Sequence, residues 1–158
     1  MNIFEKLLKK YEILISKLRV LFFKMMGSQV GSNVKIYGKI YVIGYYKNLT
    51  IGNNVTLNHG VILNLSEKIT IGNNVRISNY VCLQTGKLMS NEVGKQTHVA
   101  YPIHIDDNAW IASGCVIDGG VRIGTGAVIG ANSYVNNDIK ARCMYAGSPA
   151  KFIRENQE

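Results

Sequence analysis

The 158 residues carry 18 Lys and Arg against 10 Asp and Glu, a formal charge of +8, and 47% of them are hydrophobic. A chain of that length forms one domain with a real core, and that balance excludes both a disordered polymer and an integral membrane protein. The positive excess favours anionic partners such as phosphorylated cofactors or acidic lipid, while the lack of any arginine-rich tract or aromatic–basic interleaving argues against nucleic acid.

From Asn2 to Met26 the apolar residues Ile3, Phe4, Leu7, Leu8, Tyr11, Leu14, Ile15, Leu18, Leu21 and Phe22 recur at steps of three and four. That spacing predicts an amphipathic helix over residues 1–27, stopped by Gly27. Six cations against Glu5 and Glu12 give the segment a net charge of +4. Two seats are open to such a helix: packed on the core or on another subunit, or lying in an anionic membrane interface as a peripheral contact through residues 1–26. Lys17 and Arg19 interrupt any stretch of signal-peptide length, and nothing approaches the roughly 20 apolar residues that span a bilayer.

Beyond the helix the chain counts in sixes. Ile51, Leu57 and Leu63 are six apart, as are Ile71, Ile77 and Leu83, and Ile105, Ile111, Ile117, Ile123, Ile129 and Val135 follow without a slip. Shorter runs of the same step join Val30, Ile36 and Val42. A period of six fits neither an α-helix nor an alternating strand. It predicts an all-β solenoid over 28–142, in which each hexad is a short strand plus a corner and three hexads close one triangular coil. The anchors point inward and stack, while the Gly and Asn of "IGNN" at Ile51 and Ile71 supply left-handed corner conformations. Ile51 and Ile71 stand twenty apart rather than eighteen, which places a two-residue bulge at one corner.

The rhythm breaks once. From Leu83 to Ile105 is twenty-two residues, an excess of about fourteen, too polar in "SNEVGKQTH" to be core. A loop over 86–102 ejected from a regular solenoid covers a binding site or a neighbouring subunit. Residues 143–158 form a C-terminal tail. Cys82, Cys115 and Cys143 show no CxxC or Cys/His pairing, so they read as buried thiols in a reducing compartment, with no metal expected. The expected location is the cytoplasm, at the inner face of the membrane if the helix takes the second seat.

The repeats, with "NAWIASGCVIDGGVRIGTGAVIGANSYVNNDI" and the closing "YAGSPAKFIRE", resemble the hexapeptide-repeat acyltransferases. Nearest are the sugar O-acetyltransferases of galactoside, maltose and surface-polysaccharide type. The resemblance covers residues 30 to 155. It implies a left-handed parallel β-helix and a homotrimer with active sites in the clefts between subunits. It also implies acetyl-CoA as co-substrate and a sugar or oligosaccharide acceptor from capsule, O-antigen or exopolysaccharide synthesis.

Such chemistry needs a base, because an alcohol is a poor nucleophile near neutral pH and an imidazole can take its proton as the oxygen attacks. Where the family reads "TGxH" or "TGH", this chain reads "TGKLMS", with Lys87 or Leu88 at the histidine's place. Two readings remain open: His98 in the excursion, or His59 in "TLNHGVIL". The resemblance assigns Asn58, Lys87 and Trp110 to substrate binding. It assigns Ala112 and Ser113 to the corner whose backbone donates to the thioester carbonyl, and Gly130 and Ala131 to the pantetheine arm. Asn136 and Asn137 stand where relatives carry "TK", and Lys151 and Arg154 match cations that meet the CoA phosphates. His104 reads as a surface strand residue. A zinc-dependent carbonic anhydrase of the same solenoid type is disfavoured by the histidine spacing. An amino-sugar N-acetyltransferase and an inactive solenoid scaffold remain as alternatives.

Overall fold

The computed structural model describes residues 2–92 and 95–156. Helix α1 spans Ile3–Met25. It opens with a capping box, in which Asn2 Oδ1 accepts from Glu5 N–H at 2.8 Å and the Glu5 carboxylate accepts from Asn2 N–H at 2.9 Å; two orphan amide donors are thereby satisfied. It stops at Gly27, whose φ of 100° no other residue takes cheaply.

The hexads wind into a left-handed parallel β-helix of triangular section. The first face holds the strands Gln29–Val30, Leu49–Ile51, Ile69–Ile71, Ile103–Ile105 and Arg122–Ile123. The second holds Lys35–Ile36, Thr56–Leu57, Arg76–Ile77, Trp110–Ile111, Val128–Ile129 and Cys143–Ala146, with Lys151–Glu155 folded back antiparallel on the last. The third holds Tyr41–Gly44, Ile62–Leu65, Cys82–Gln84, Val116–Asp118 and Tyr134–Val135.

Each anchor of the sequence pattern pairs in register with its counterpart one coil away: Ile51 with Ile71, Ile71 with Ile105, and Ile105 with Ile123 on the first face. Leu57, Ile77, Ile111 and Ile129 do the same on the second, and Leu63, Leu83, Ile117 and Val135 on the third. These side chains are almost wholly buried, each worth about 2–3 kcal/mol of transfer from water. The two extra residues of the second coil fall at the edge between third and first faces, where Leu65 and Ile69 are buried on either side of Ser66–Lys68.

The "IGNN" repeats become a ladder along the edge between first and second faces. Asn33 Nδ2 donates to Asn54 Oδ1, Asn54 to Asn74, and Asn74 to Asn108, at 2.9–3.1 Å. All four have φ between 53° and 61°, a left-handed turn that Asn tolerates well.

A solenoid leaves open strand edges at its ends. At the N-terminal end α1 covers them: Ser16 Oγ accepts from Ile36 N–H at 2.9 Å, and Arg19 donates to the Ile36 carbonyl at 3.2 Å. Phe23 is buried against Tyr46, with ring centroids 5.2 Å apart. The expected excursion is a β-hairpin, Gly86–Glu92 paired antiparallel with Lys95–Ala100 and rising from the edge between third and first faces.

Candidate functional site

Along the edge between second and third faces, the corners Asn58–Gly60, Ser78–Tyr80, Ala112–Gly114 and Gly130–Asn132 stack coil upon coil. Their backbones bond corner to corner: Tyr80 N–H to His59 O, Gly114 N–H to Asn79 O, and Asn132 N–H to Ser113 O, at 2.9–3.0 Å. The Asn58 side-chain amide is spent on the Ile77 carbonyl at 3.1 Å. His59 is a packed corner residue, its Nδ1 accepting from Lys39 N–H at 3.3 Å and its ring edge-on to Tyr80. It lies so close over Gly38 that a Cβ there would come within 2.3 Å of its ring.

Two coils further on, Ala112 N–H is committed to the Ile129 carbonyl at 3.0 Å, so of the two matched residues Ser113 is the one whose amide has no partner among the described residues, as holds for the middle residue of the other three corners, His59, Asn79 and Ala131. Ser113 precedes Gly114, whose φ of 74° marks a tight turn. Gly130 has both backbone groups engaged, its N–H donating to the Tyr145 carbonyl at 2.8 Å and its carbonyl accepting from Ser133 Oγ at 2.6 Å and Cys115 Sγ at 3.0 Å, and a Cβ there would meet that of Ala146 at 2.8 Å; Ala131 beside it is exposed. Trp110 lies outward on the second face, 48% exposed, donating from Nε1 to Ser78 Oγ at 3.1 Å. Lys151 and Arg154 stand exposed on the last strand of that face, opposite Ala146 and Met144.

The hairpin edge holds the other group. Thr85 is fully buried and donates to the Asn64 carbonyl at 2.6 Å. Asn64, 8% exposed, accepts at Oδ1 from Ser66 N–H and Ser66 Oγ, at 3.1 and 2.7 Å. That fixes its amide nitrogen toward Gly86, 3.3 Å from where a Cβ would stand, and among the described residues this nitrogen donates to nothing. Sequence reasoning singled out Asn58 and not Asn64, whose signal in the sequence is the polar "NLS" at the one coil lengthened by two residues.

The hairpin register pairs Gly86 with Ala100, Lys87 with Val99 and Leu88 with His98. Paired residues share a side of the ribbon and successive pairs alternate. His98 therefore shares the side of Gly86 that faces Asn64, two pairs or about 7 Å further out at a strand's rise per residue. It is exposed. Lys87 points to the opposite side, its ammonium 5.2 Å over the Tyr101 ring. Asn136 and Asn137 lie exposed at the same edge, bonded to each other at 2.9 Å. His104 faces outward on the first face, in register with Thr70 and Arg122.

Apart from Trp110, Lys151 and Arg154 on the second face, the matched residues fall into two groups on two different edges. Asn58, His59, Ala112, Ser113, Gly130 and Ala131 share one; Lys87, His98, Asn136 and Asn137, with Asn64, share the other. No three His, Cys, Asp or Glu side chains converge among the described residues. Burial and then the Asp118 charge push the Cys82 thiol up, and burial pushes up Cys115 against two backbone hydrogen bonds. Neither is prepared as a thiolate nucleophile.

Comparison with known proteins agrees with the geometry. A family model described as bacterial transferase hexapeptide (six repeats) matches residues 102–137. Galactoside O-acetyltransferase of Escherichia coli K12 is 37% identical over 134 residues, 84% of this chain and 66% of that protein. A solved galactoside acetyltransferase in complex with coenzyme A is 32% identical, with a TM-score of 0.81 over 88% of this chain and 70% of the other. A hexapeptide-repeat acetyltransferase of Vibrio cholerae O1 biovar eltor, complexed with acetyl coenzyme A, is 26% identical, with a TM-score of 0.84 over 90% and 78%. The chain spans 66% of the length of the E. coli relative, and 43% and 59% of two yeast relatives. Period, register and overlap agree across most of its length: the chain belongs to the family of hexapeptide-repeat acyltransferases.

Proposed function

We propose that this chain moves an acetyl group from acetyl-CoA to a sugar hydroxyl, at a site formed where the hairpin edge of one copy meets the Ser113 edge of the next in a homotrimer. The observation that carries this reading is the division itself. The unpartnered Ser113 N–H and exposed Ala131 lie on one edge of the prism, and His98 with the open Asn64 amide on another. A cyclic assembly closes such unlike edges onto each other.

The residues present suit the reaction. Asn64 donates to the acceptor and orients it. His98 takes the hydroxyl proton as the oxygen attacks the thioester carbonyl. Ser113 N–H donates to the oxyanion that develops. The imidazolium then returns its proton to the departing thiolate, so no acyl-enzyme and no external acid are needed. Lys151 and Arg154 supply cations for the CoA phosphates, and holding both substrates in one cleft provides the orientation. His59, locked against Gly38 and Tyr80, is less suited to the base than His98.

The acceptor is a sugar of a surface polysaccharide in this reading, which the sugar-modifying relatives and the basic N-terminal helix support. Three free cysteines suit the reducing cytoplasm, where acetyl-CoA is available. A second reading, a solenoid that scaffolds without catalysing, is favoured by Lys87 or Leu88 at the place of the family's histidine. Release of free thiol from acetyl-CoA, with a panel of hexoses, amino sugars and oligosaccharides, separates the two. Turnover with a hydroxyl acceptor that falls about 10²–10⁴-fold in His98→Ala supports the transferase. Turnover only with amines moves the reaction to N-acetylation, and the absence of both turnover and coenzyme A binding leaves the scaffold.

A further inference from the structure

Helix α1 meets the prism with the side opposite to its apolar stripe. Ser16 and Phe23 are its buried residues, and they point into the first coil through the Ile36 and Tyr46 contacts. A helix turns 100° per residue, so a residue two positions away points roughly opposite. Leu14 and Leu18 flank Ser16 at that distance, and Leu21 and Met25 flank Phe23. All four are more than half exposed, as are Phe4, Leu7 and Tyr11 of the same stripe. The strongest apolar surface on the chain therefore faces away from its own core.

The charges are sorted the same way. Glu12 lines the groove between helix and first coil, and Glu5 is engaged in the capping box, so both carboxylates lie on the prism side. Lys10, Lys17 and Lys24 recur every seven residues along one flank of the stripe, with Lys6 four residues ahead, and all are exposed, Lys17 and Lys24 also lining the edge of the groove. That flank, between groove and stripe, carries cations and no carboxylate.

We propose that the outward half of α1 seats on an anionic lipid surface, with the prism standing above it. The apolar stripe enters the boundary between headgroups and acyl chains, and the lysines reach beside it to lipid phosphates. Among the described residues no helix is long and apolar enough to cross the bilayer, so the proposed seat of α1 is the surface. A second copy of the same helix fits less well. The lysine row would meet another lysine row or the apolar Leu8, Ile15 and Phe22 of the opposite flank, with no carboxylate to pair it. The inference is independent of the transfer chemistry, and the thiol-release assay on free acceptor reads that chemistry separately.

Sedimentation of the full chain with vesicles tests it, comparing phosphatidylcholine containing one-third phosphatidylglycerol with phosphatidylcholine alone. Binding is expected to the anionic vesicles only, and to weaken with salt. Replacing Lys10, Lys17 and Lys24 by Gln is expected to weaken it about 100-fold, at roughly fivefold per lysine. Leu14→Gln with Leu18→Gln is expected to abolish it while β-sheet circular dichroism and thiol release stay unchanged. The proposal is overturned if anionic vesicles leave the chain in the supernatant, or if both vesicle types carry it down equally. It is overturned too if the leucine variant lowers the mass of the assembly and leaves vesicle binding intact, because copies of the chain then cover the stripe.

Discussion

Asn58 and Asn64 are six residues apart and both precede a corner, yet their amides have opposite fates. Asn58 donates to a coil carbonyl, whereas Ser66 holds Asn64 by its oxygen and leaves its nitrogen open beside Gly86. The difference predicts a separable effect. Asn64→Asp keeps an oxygen for Ser66 and removes the donor, so KM for the acceptor is expected to rise about tenfold, the cost of one hydrogen bond to substrate, with KM for acetyl-CoA unchanged. Steady-state kinetics with each substrate varied in turn checks this, and an equal rise in both constants would contradict it. Sequence alone could not rank the two asparagines. Every "N" at a corner looks like a turn former, and only the hydroxyls of Ser66 and Thr85 closing on Asn64 from two coils distinguish it. His98 was visible because it is a titratable residue inside the one broken repeat, but its side of the ribbon follows from hairpin pairing that "SNEVGKQTH" does not announce.

At the level of elements, the hexads were legible because each anchor repeats a chemical demand: an aliphatic inward, then a residue able to turn left-handed. The asparagine ladder is the direct product of "IGNN". The helix was legible in its extent, Ile3–Met25 within the expected 1–27, but not in its orientation. A stripe of leucines would ordinarily mark the side that meets the core. Here the deciding interactions are polar, Ser16 and Arg19 satisfying the free edge of Ile36, and periodicity carries no record of an unsatisfied strand elsewhere in the chain. Ser16→Ala tests that account. It removes only the hydroxyl and leaves the Ile36 N–H buried without an acceptor, an expected loss of about 1–3 kcal/mol. Leu14→Ser, on the outward stripe, is expected to stay within about 0.5 kcal/mol. Denaturant midpoints for the two variants compare the sides of one helix directly; equal losses would mean that the polar contacts do not hold it.

For the whole molecule, the proposed reaction draws its groups from unlike edges of one prism. A site confined to one copy would have to draw Ser113 and His98 together across a face, whereas in the proposed trimer rotation about a common axis would bring the Ser113 edge of each copy to the hairpin edge of its neighbour. The alternatives differ in what two defective chains can do together. His98→Ala removes the base. Ser113→Pro removes the oxyanion donor and suits the first position of a turn whose second residue, Gly114, has φ 74°, so the corner itself is retained. Each variant alone is expected to lose about 10²-fold or more in kcat. In assemblies formed from equal amounts of both, a site that borrows its base from the Ser113→Pro chain and its donor from the His98→Ala chain is intact. Random assortment makes about one site in four of that kind. Thiol release should recover to roughly a quarter of the native rate after the variants are co-expressed or unfolded and refolded together, and should not recover when they are merely mixed as formed assemblies that do not exchange. No recovery after co-assembly would place base and donor within one copy, and the division between edges would then have to be bridged by movement of the hairpin.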